Sequence, residues 1–437
     1  MNDLSPADYS PMNYKSSKEG YSMEFDLFKL NQFDSLRSIV YFKGKFCRTI
    51  FNELVQEVCL VAKVNRKSLS KQLSVRHSSD VSTIEKFIFS KDYFPIYLVL
   101  DLISFLPQGR RKYHNSNFNK AVEHFKFGHS KNWSKFPKSI SKELVWLCGA
   151  VAADGWISKE EDGKERLGII DFHKNALLKA KLFFEFCFGF NGNVVRDKLK
   201  NCWMLIVDSK AITRFFTTYL GFHYGLKVYD IREPEIVKVS DFRLDYASGV
   251  LTFDGSVEMD GVVSLGCASE SLVKDVQSIL SEAGLKTKFK KREMSKQTLF
   301  FVKSEGLLKH KDVTKWISLF GLDVEKGQRL DSLANGFKET PVSEEDALVR
   351  LEKFVNYTRR QKCPVYKIFF ALKKEGSVKK QNLLKLTNLP HVTFYKYALL
   401  LRKANIISCQ KGTFGRGVEN VYAFNYKIED WRVPKVS

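Results

Sequence analysis

Acidic residues are scarce in this 437-residue chain: 49 Asp and Glu stand against 71 Lys and Arg, a formal net charge of +22. Such a deficit argues for a polyanionic partner, nucleic acid first. No run of about 18 apolar residues occurs, so no membrane span is expected. No long amphipathic basic helix stands out, which weighs against a membrane-surface protein. The first 21 residues are polar and hold no apolar signal-peptide core. The eight cysteines contain no CxxC pair, which argues against a zinc site or a disulfide framework. They read as buried free thiols in a reducing, cytoplasmic setting. His114, His124 and His129 lack tight ligand spacing, so no metal is assigned there.

Apolar content of 44% is ample for cores, and the length suits two to four domains. The strongest feature is a repeat. Leu147-Cys148-Gly149-Ala150-Val151-Ala152-Ala153-Asp154-Gly155 returns as Ala247-Ser248-Gly249-Val250-Leu251-Thr252-Phe253-Asp254-Gly255, with the two acids 100 residues apart. Gly149 and Ala153, four apart, share one helix face and allow a second helix backbone, at Gly249, to approach closely. The glycine after each acid suits a helix end, where positive φ is often needed. A carboxylate at a helix C-terminus is disfavoured by the dipole. Two of them, brought together by packed helices, would make a concentrated anionic site whose natural occupant is a divalent cation.

The paired motif resembles the LAGLIDADG family of homing endonucleases in its single-chain, two-motif form. The resemblance covers about 190 residues. It implies an α+β fold of tandem αββαββα repeats forming a DNA-binding saddle, with the eighth motif position of each copy as the metal-binding acid, Asp154 and Asp254. Ala152 and Thr252 stand at the sixth position, Ala153 and Phe253 at the seventh, and Ala247 opens the second copy. The family also carries a lysine after the last helix of each half. Matched by order, these are Lys227 and Lys326, 73 and 72 residues past their acids. The resemblance implies Mg²⁺, two or more ions with Mn²⁺ able to substitute, double-stranded DNA as partner, and a monomer with internal pseudo-twofold symmetry.

In chain order, residues 1–25 read as a loose tail. Residues 26–106 read as a helical domain, with a helix over 51–63, a polar turn, and a short helix bearing Arg66, Lys67 and Lys71 that fits a helix-turn-helix reader or a plain basic bundle. Residues 107–140 carry eight basic residues against one acid, Glu123, with aromatics among them. They read as a linker that tracks phosphates or as a solvated tether. The repeats are expected at 141–238 and 239–340. The first has strands near 156–158, 167–173, 193–198 and 203–207 and helices at 176–188 and 211–220. The second has strands near 256–258, 262–267, 287–291 and 299–302 and helices at 271–283 and 313–320. Alternate strand residues put cations toward DNA: Arg196, Lys198 and Lys200 in one half, Lys286, Lys288, Lys290, Lys291 and Arg292 in the other. Residues 341–437 read as a winged helix, with Lys396 on the recognition helix and Lys411 and Arg416 in the wing.

These expectations converge on a Mg²⁺-dependent, site-specific endonuclease of duplex DNA. A cleavage-deficient DNA-binding regulator and an RNA-splicing maturase stand as alternatives on the same fold.

Overall fold

The computed structural model describes residues 24–32, 39–128, 130–160, 164–225, 231–258, 261–294, 297–304, 313–336, 341–354, 364–410 and 420–425. The chain divides into two units, Met1–Gly249 and Val250–Ser437, with the division falling inside the second motif helix. All the sheets are antiparallel, in a mixed α/β architecture.

The first unit opens with helices Cys47–Ala62, Arg66–Arg76, Val81–Phe89, Ile96–Ser104 and Gln108–Ala121. They accompany a four-stranded sheet in the order Phe94–Pro95, Val40–Lys43, His124–Phe127, Ser134–Lys135. The sheet corrects the reading of 107–140 as a linker, because that stretch supplies one helix and two strands. The physical reason is alternation: Phe125 and Phe127 point into the core while His124 and Lys126 are only partly covered. Phe118, Val122 and Phe136 are buried as well, so the basic residues decorate a folded element. Phe136 and Phe125 reach Phe215 of the first repeat, with ring centroids 6.2 and 6.4 Å apart.

The first repeat runs helix Lys142–Asp154, strands Gly155–Lys159 and Glu165–Asp171, helix Lys174–Phe188, strands Asn193–Asp197 and Cys202–Val207, and helix Lys210–Tyr219. Its sheet order is 155–159, 165–171, 202–207, 193–197. Leu167, Ile169, Leu205 and Val207 are buried on the face that helix Lys174–Phe188 covers. A buried ion pair braces this half: the Arg214 guanidinium donates twice to the Glu165 carboxylate, at 2.7 Å each, and Tyr224 Oη donates to it at 2.8 Å.

In the second unit, strands Gly255–Val257, Val263–Cys267, Thr287–Glu293 and Thr298–Ser304 repeat the order, with helices Glu270–Glu282 and Val313–Phe320. The sheet order, 255–257, 263–267, 298–304, 287–293, is that of the first half. A further helix, Glu325–Asn335, follows. Beyond helix Glu344–Phe354 come Pro364–Glu375, Lys380–Thr387 and His391–Lys403 with a three-stranded sheet, Ser377–Lys379, Val421–Phe424, Ile407–Gln410. The expected wing residues Lys411 and Arg416 lie outside the described residues.

Candidate functional site

The first motif helix is buried all round: every residue from Leu144 to Ala153 is buried. Ser141 caps it, its side chain accepting from Leu144 N at 3.3 Å. A helix with no polar face must be surrounded by protein, and part of its surroundings is the opening of the second motif helix, Arg243–Asp254. Trp146 Nε1 donates to Ser248 Oγ at 3.2 Å. A Cβ on Gly249 would lie 2.9 Å from Ala150 N and 3.1 Å from Gly149 Cα, and closer still to Trp146 O. The backbones therefore touch at Gly149 and Gly249, and only glycine fits at 249. Ala153, one turn past Gly149, is also buried.

Both motif helices end on the acid, and each chain passes straight into a strand with no loop. The glycines that follow are not there for positive φ. Gly155 sits at φ −81°, ψ 160°, an extended conformation open to any residue. What excludes a side chain is proximity: a Cβ on Gly155 would lie 2.5 Å from Val151 Cα and 2.6 Å from Val151 O. A Cβ on Gly255 would lie 2.9 Å from Leu251 C and Cα. The same steric demand thus recurs at the same point of both halves. Asp154 and Asp254 are half-buried, while Phe253, beside the second acid, is buried.

Each acid stands where its own helix already concentrates partial negative charge. In the second half a cation meets that charge. Lys326 Nζ donates to the carbonyl oxygens of Thr252 and Phe253 at 2.6 Å each and to Leu251 O at 3.4 Å. Lys326 is the second residue of helix Glu325–Asn335, so it is held on an element the sequence did not announce. Its counterpart by order, Lys227, lies outside the described residues. Hard oxygen donors of this kind suit Mg²⁺ or Mn²⁺. Among the described residues no group of three or more His, Cys, Asp or Glu side chains gathers to hold a metal.

Strand register sorts the basic residues by face. In the second half, Lys288 faces Lys303, Lys290 faces Phe301, and Arg292 faces Leu299. Phe289 faces Val302 with the opposite parity, toward helix Glu270–Glu282, whose Lys274 Nζ lies 5.9 Å from its ring. Lys288, Lys290 and Arg292 therefore share the face away from that helix, with Lys286 just before the strand. Lys291 has the other parity and pairs with Glu293 at 3.1 Å. In the first half, Arg196 faces Trp203, which in turn faces Asp171, in the row parity of the buried face, and its guanidinium lies 5.8 Å from the Trp203 ring. The strand ends at Asp197, whose Oδ1 accepts from Leu199 N and Lys200 N. Lys198 and Lys200 are accordingly exposed turn residues.

Two other expected contacts sit on helices. Asn65 caps Arg66–Arg76 by accepting from Ser68 N at 2.9 Å, which fixes a three-residue turn after Cys47–Ala62. Lys67 and Lys71, four apart, are exposed on one face, and Arg66 is half-exposed beside a cavity of about 420 Å³ at the turn. Lys396 is half-exposed on His391–Lys403.

No family model matches the chain. Among curated proteins it is 24% identical over 166 residues to the isomerizing glutamine–fructose-6-phosphate aminotransferase of Methanocaldococcus jannaschii, a match taking in 37% of this chain. The chain spans 15% of the length of that relative. Among solved structures it is similar to mesophilic variants of the homing endonuclease I-DmoI, with 13% identity and TM-score 0.32, over 41% of this chain and 94% of that one. It is also similar to I-DmoI in complex with DNA and Mn, with 12% identity and TM-score 0.31, over 41% and 96%. Full-length DUF199/WhiA from Thermatoga maritima matches at 12% identity and TM-score 0.29, over 61% and 92%. The likeness to LAGLIDADG structures is thus partial and weak.

Proposed function

We propose that the protein is a site-specific endonuclease that cuts both strands of a long, asymmetric DNA duplex with Mg²⁺, one acid serving each half. The observation that carries this reading is the duplicated helix end: Asp154-Gly155 and Asp254-Gly255 each close a motif helix and enter a strand through a glycine that no larger residue can replace. A surface acid needs no such construction, whereas a carboxylate that must be held in one place does. Asp154 and Asp254 would hold the metal. Mg²⁺, when bound, supplies Lewis-acid stabilisation of charge on the phosphate and a more acidic water. Lys326, and Lys227 by its order in the chain, would offset negative charge near the acids and orient them. Lys286, Lys288, Lys290 and Arg292 would neutralise phosphates. Arg66, Lys67 and Lys71 on a helix-turn-helix and Lys396, Lys411 and Arg416 on a winged helix would lengthen the recognised site.

A second reading, a regulator that binds duplex without cutting it, draws support from Phe253, a large ring beside Asp254 where the first half has Ala153. One experiment divides the two. Targets are selected from a random library by binding, then incubated with Mg²⁺ or Mn²⁺. Asp154→Asn and Asp254→Asn are expected to lower cleavage about a thousandfold or more, a loss of roughly 4 kcal/mol of transition-state stabilisation, while binding in Ca²⁺ persists. Tight wild-type binding with no cut in either metal would establish the regulator.

A further inference from the structure

The sheet formed by Phe94–Pro95, Val40–Lys43, His124–Phe127 and Ser134–Lys135 has one face in the core and one turned outward. Phe42, Phe94 and Phe125 are fully buried, so their neighbours Tyr41, Lys43, His124 and Lys126 project the other way. The register puts Tyr41 opposite Lys126, and Lys43 opposite His124, which in turn faces Lys135. Tyr93 and Trp133 flank this face. Tyr41 and Tyr93 ring centroids are 5.6 Å apart, and Tyr93 and Trp133 are 5.8 Å apart, both edge to face. Lys126 Nζ lies 5.6, 5.3 and 4.9 Å from the Tyr41, Tyr93 and Trp133 rings, and Lys43 Nζ lies 4.6 Å from Trp133.

This cluster differs from its surroundings in how its charge is balanced. Elsewhere in the same unit cations meet carboxylates, as Arg110 does Glu57 and Arg76 does Asp101, each at 2.7 Å. Among the described residues neither Lys43 nor Lys126 forms an ion pair, and aromatic rings are what they rest on. A ring quadrupole attracts a cation without cancelling its charge. The face therefore keeps its positive charge; beside it, burial first and then Lys43 depress the basicity of the His124 imidazole, with Glu123 opposing and Lys135 adding a smaller push.

We propose that this face binds an unpaired strand of nucleic acid, with phosphates drawn to Lys43 and Lys126 and bases stacked on Trp133, Tyr93 and Tyr41. Half-buried rings interleaved with unpaired lysines on a sheet are the combination that single strands require, because their base faces are free to stack. A duplex hides those faces and would use the lysines alone. The inference does not depend on the endonuclease reading, since none of these residues belongs to the motif helices or the repeat sheets.

The test uses the full chain and fluorescein-labelled oligo(dT) and oligo(U) of about 15 nucleotides, a length suited to a platform of this kind, read by anisotropy. Wild type is expected to bind at least one oligomer, and the two arms identify DNA or RNA as the preferred source. Lys126→Gln and Trp133→Ala are each expected to weaken that binding about tenfold, the loss typical of one stacked base. Trp133→Phe, which keeps a ring, should stay within about threefold of wild type. The two Trp133 variants, which leave the lysines in place, should not change affinity for a duplex. Wild type failing to bind either oligomer would overturn the proposal. So would wild-type affinity in Lys126→Gln and Trp133→Ala proteins whose far-UV circular dichroism is intact.

Discussion

Adding one methyl group at Gly249 tests the closeness of the two motif helices. The new Cβ would lie 2.9 Å from Ala150 N and 3.1 Å from Gly149 Cα, with Trp146 O nearer than either. Ordinary carbon contacts need about 3.5 Å, so the backbones must part by roughly 0.5–1 Å, and a gap of that width forfeits a quarter to a half of the dispersion attraction across it. Overpacking of this kind costs about 1–3 kcal/mol. The buried bond from Trp146 Nε1 to Ser248 Oγ, already 3.2 Å, would stretch as well, at about 1 kcal/mol. Against these stands the better helix propensity of alanine, about 1 kcal/mol. The clash wins, and Gly249→Ala should lose about 2 kcal/mol. In a unit of this size that is a fall in Tm of roughly 4–8 °C. Gly109 supplies the control. It lies near the start of helix Gln108–Ala121, and a Cβ there meets nothing within 4 Å. Gly109→Ala should therefore leave Tm unchanged or raise it slightly. Thermal and urea unfolding followed by circular dichroism would measure both. If Gly249→Ala melts at or above wild type, the helices are not in backbone contact and the close-packing argument is wrong.

Lys288→Gln and Lys290→Gln should each weaken duplex binding and flatten the dependence of log affinity on log salt by about 0.9; an anisotropy series in KCl reads both, and an unchanged slope removes those residues from the interface. Lys326→Met removes the cation from the carbonyl end of the second motif helix, so the second unit should lose about 1 kcal/mol in urea unfolding, and cleavage should fall less than in Asp254→Asn; unaltered stability would show that its carbonyl bonds do not matter. The Arg110 guanidinium, with His114, holds the Glu57 carboxyl down at about 2 from its ordinary 4.5. Because the folded value is the lower one, this contribution is complete above the ordinary value and vanishes as pH falls through about 2. Glu57→Gln should thus cost about 1 kcal/mol at neutral pH, the modest figure suited to a pair near solvent, and the difference from wild type should close in acid unfolding titrations.

What the sequence disclosed follows from how many residues each signal spans. Most strands of the repeats are legible because they run through five to seven residues, as in Thr298–Ser304, where buried and half-buried positions alternate. The N-terminal sheet is not, because Phe94–Pro95 and Ser134–Lys135 contribute two residues each, too few for a period. Charge then dominated the reading of 107–140 and hid Phe125 and Phe127 pointing inward. Helix Glu325–Asn335 escaped for a related reason: Leu330 and Leu333 are its buried leucines, and Gly327 sits inside it. That glycine is required by Gly321, whose carbonyl leaves no room for a Cβ, a fact of tertiary packing that no local pattern encodes. The glycines after the motif acids suggest positive φ by their place at a helix end, whereas the actual demand is clearance from the last helical turn.

The two repeats agree where the backbone is constrained and differ where side chains meet solvent. Gly155 and Gly255 meet the same obstruction, and the sheets have the same strand order. Aromatic rings lie flat over glycines in both: a Cβ on Gly168 would strike the Trp156 ring, and one on Gly266 the Phe301 ring. The outward faces diverge. In the second half, Lys288, Lys290 and Arg292 dominate, beside Lys303, which is held by Glu258 at 2.7 Å. In the first, Trp156, Ile170, Met204 and Ile206 occupy equivalent rows, and the cation among them, Arg166, is engaged by Glu160 at 2.5 Å. One face can hold phosphates, and the other offers apolar contact of the kind that meets thymine methyl groups. A homodimer of one repeat would have to present the same face twice. Joining two copies in one chain frees each face to change while every motif helix keeps its own acid and glycine, so the target of such a protein should itself be asymmetric, with its salt-sensitive contacts concentrated on the second half.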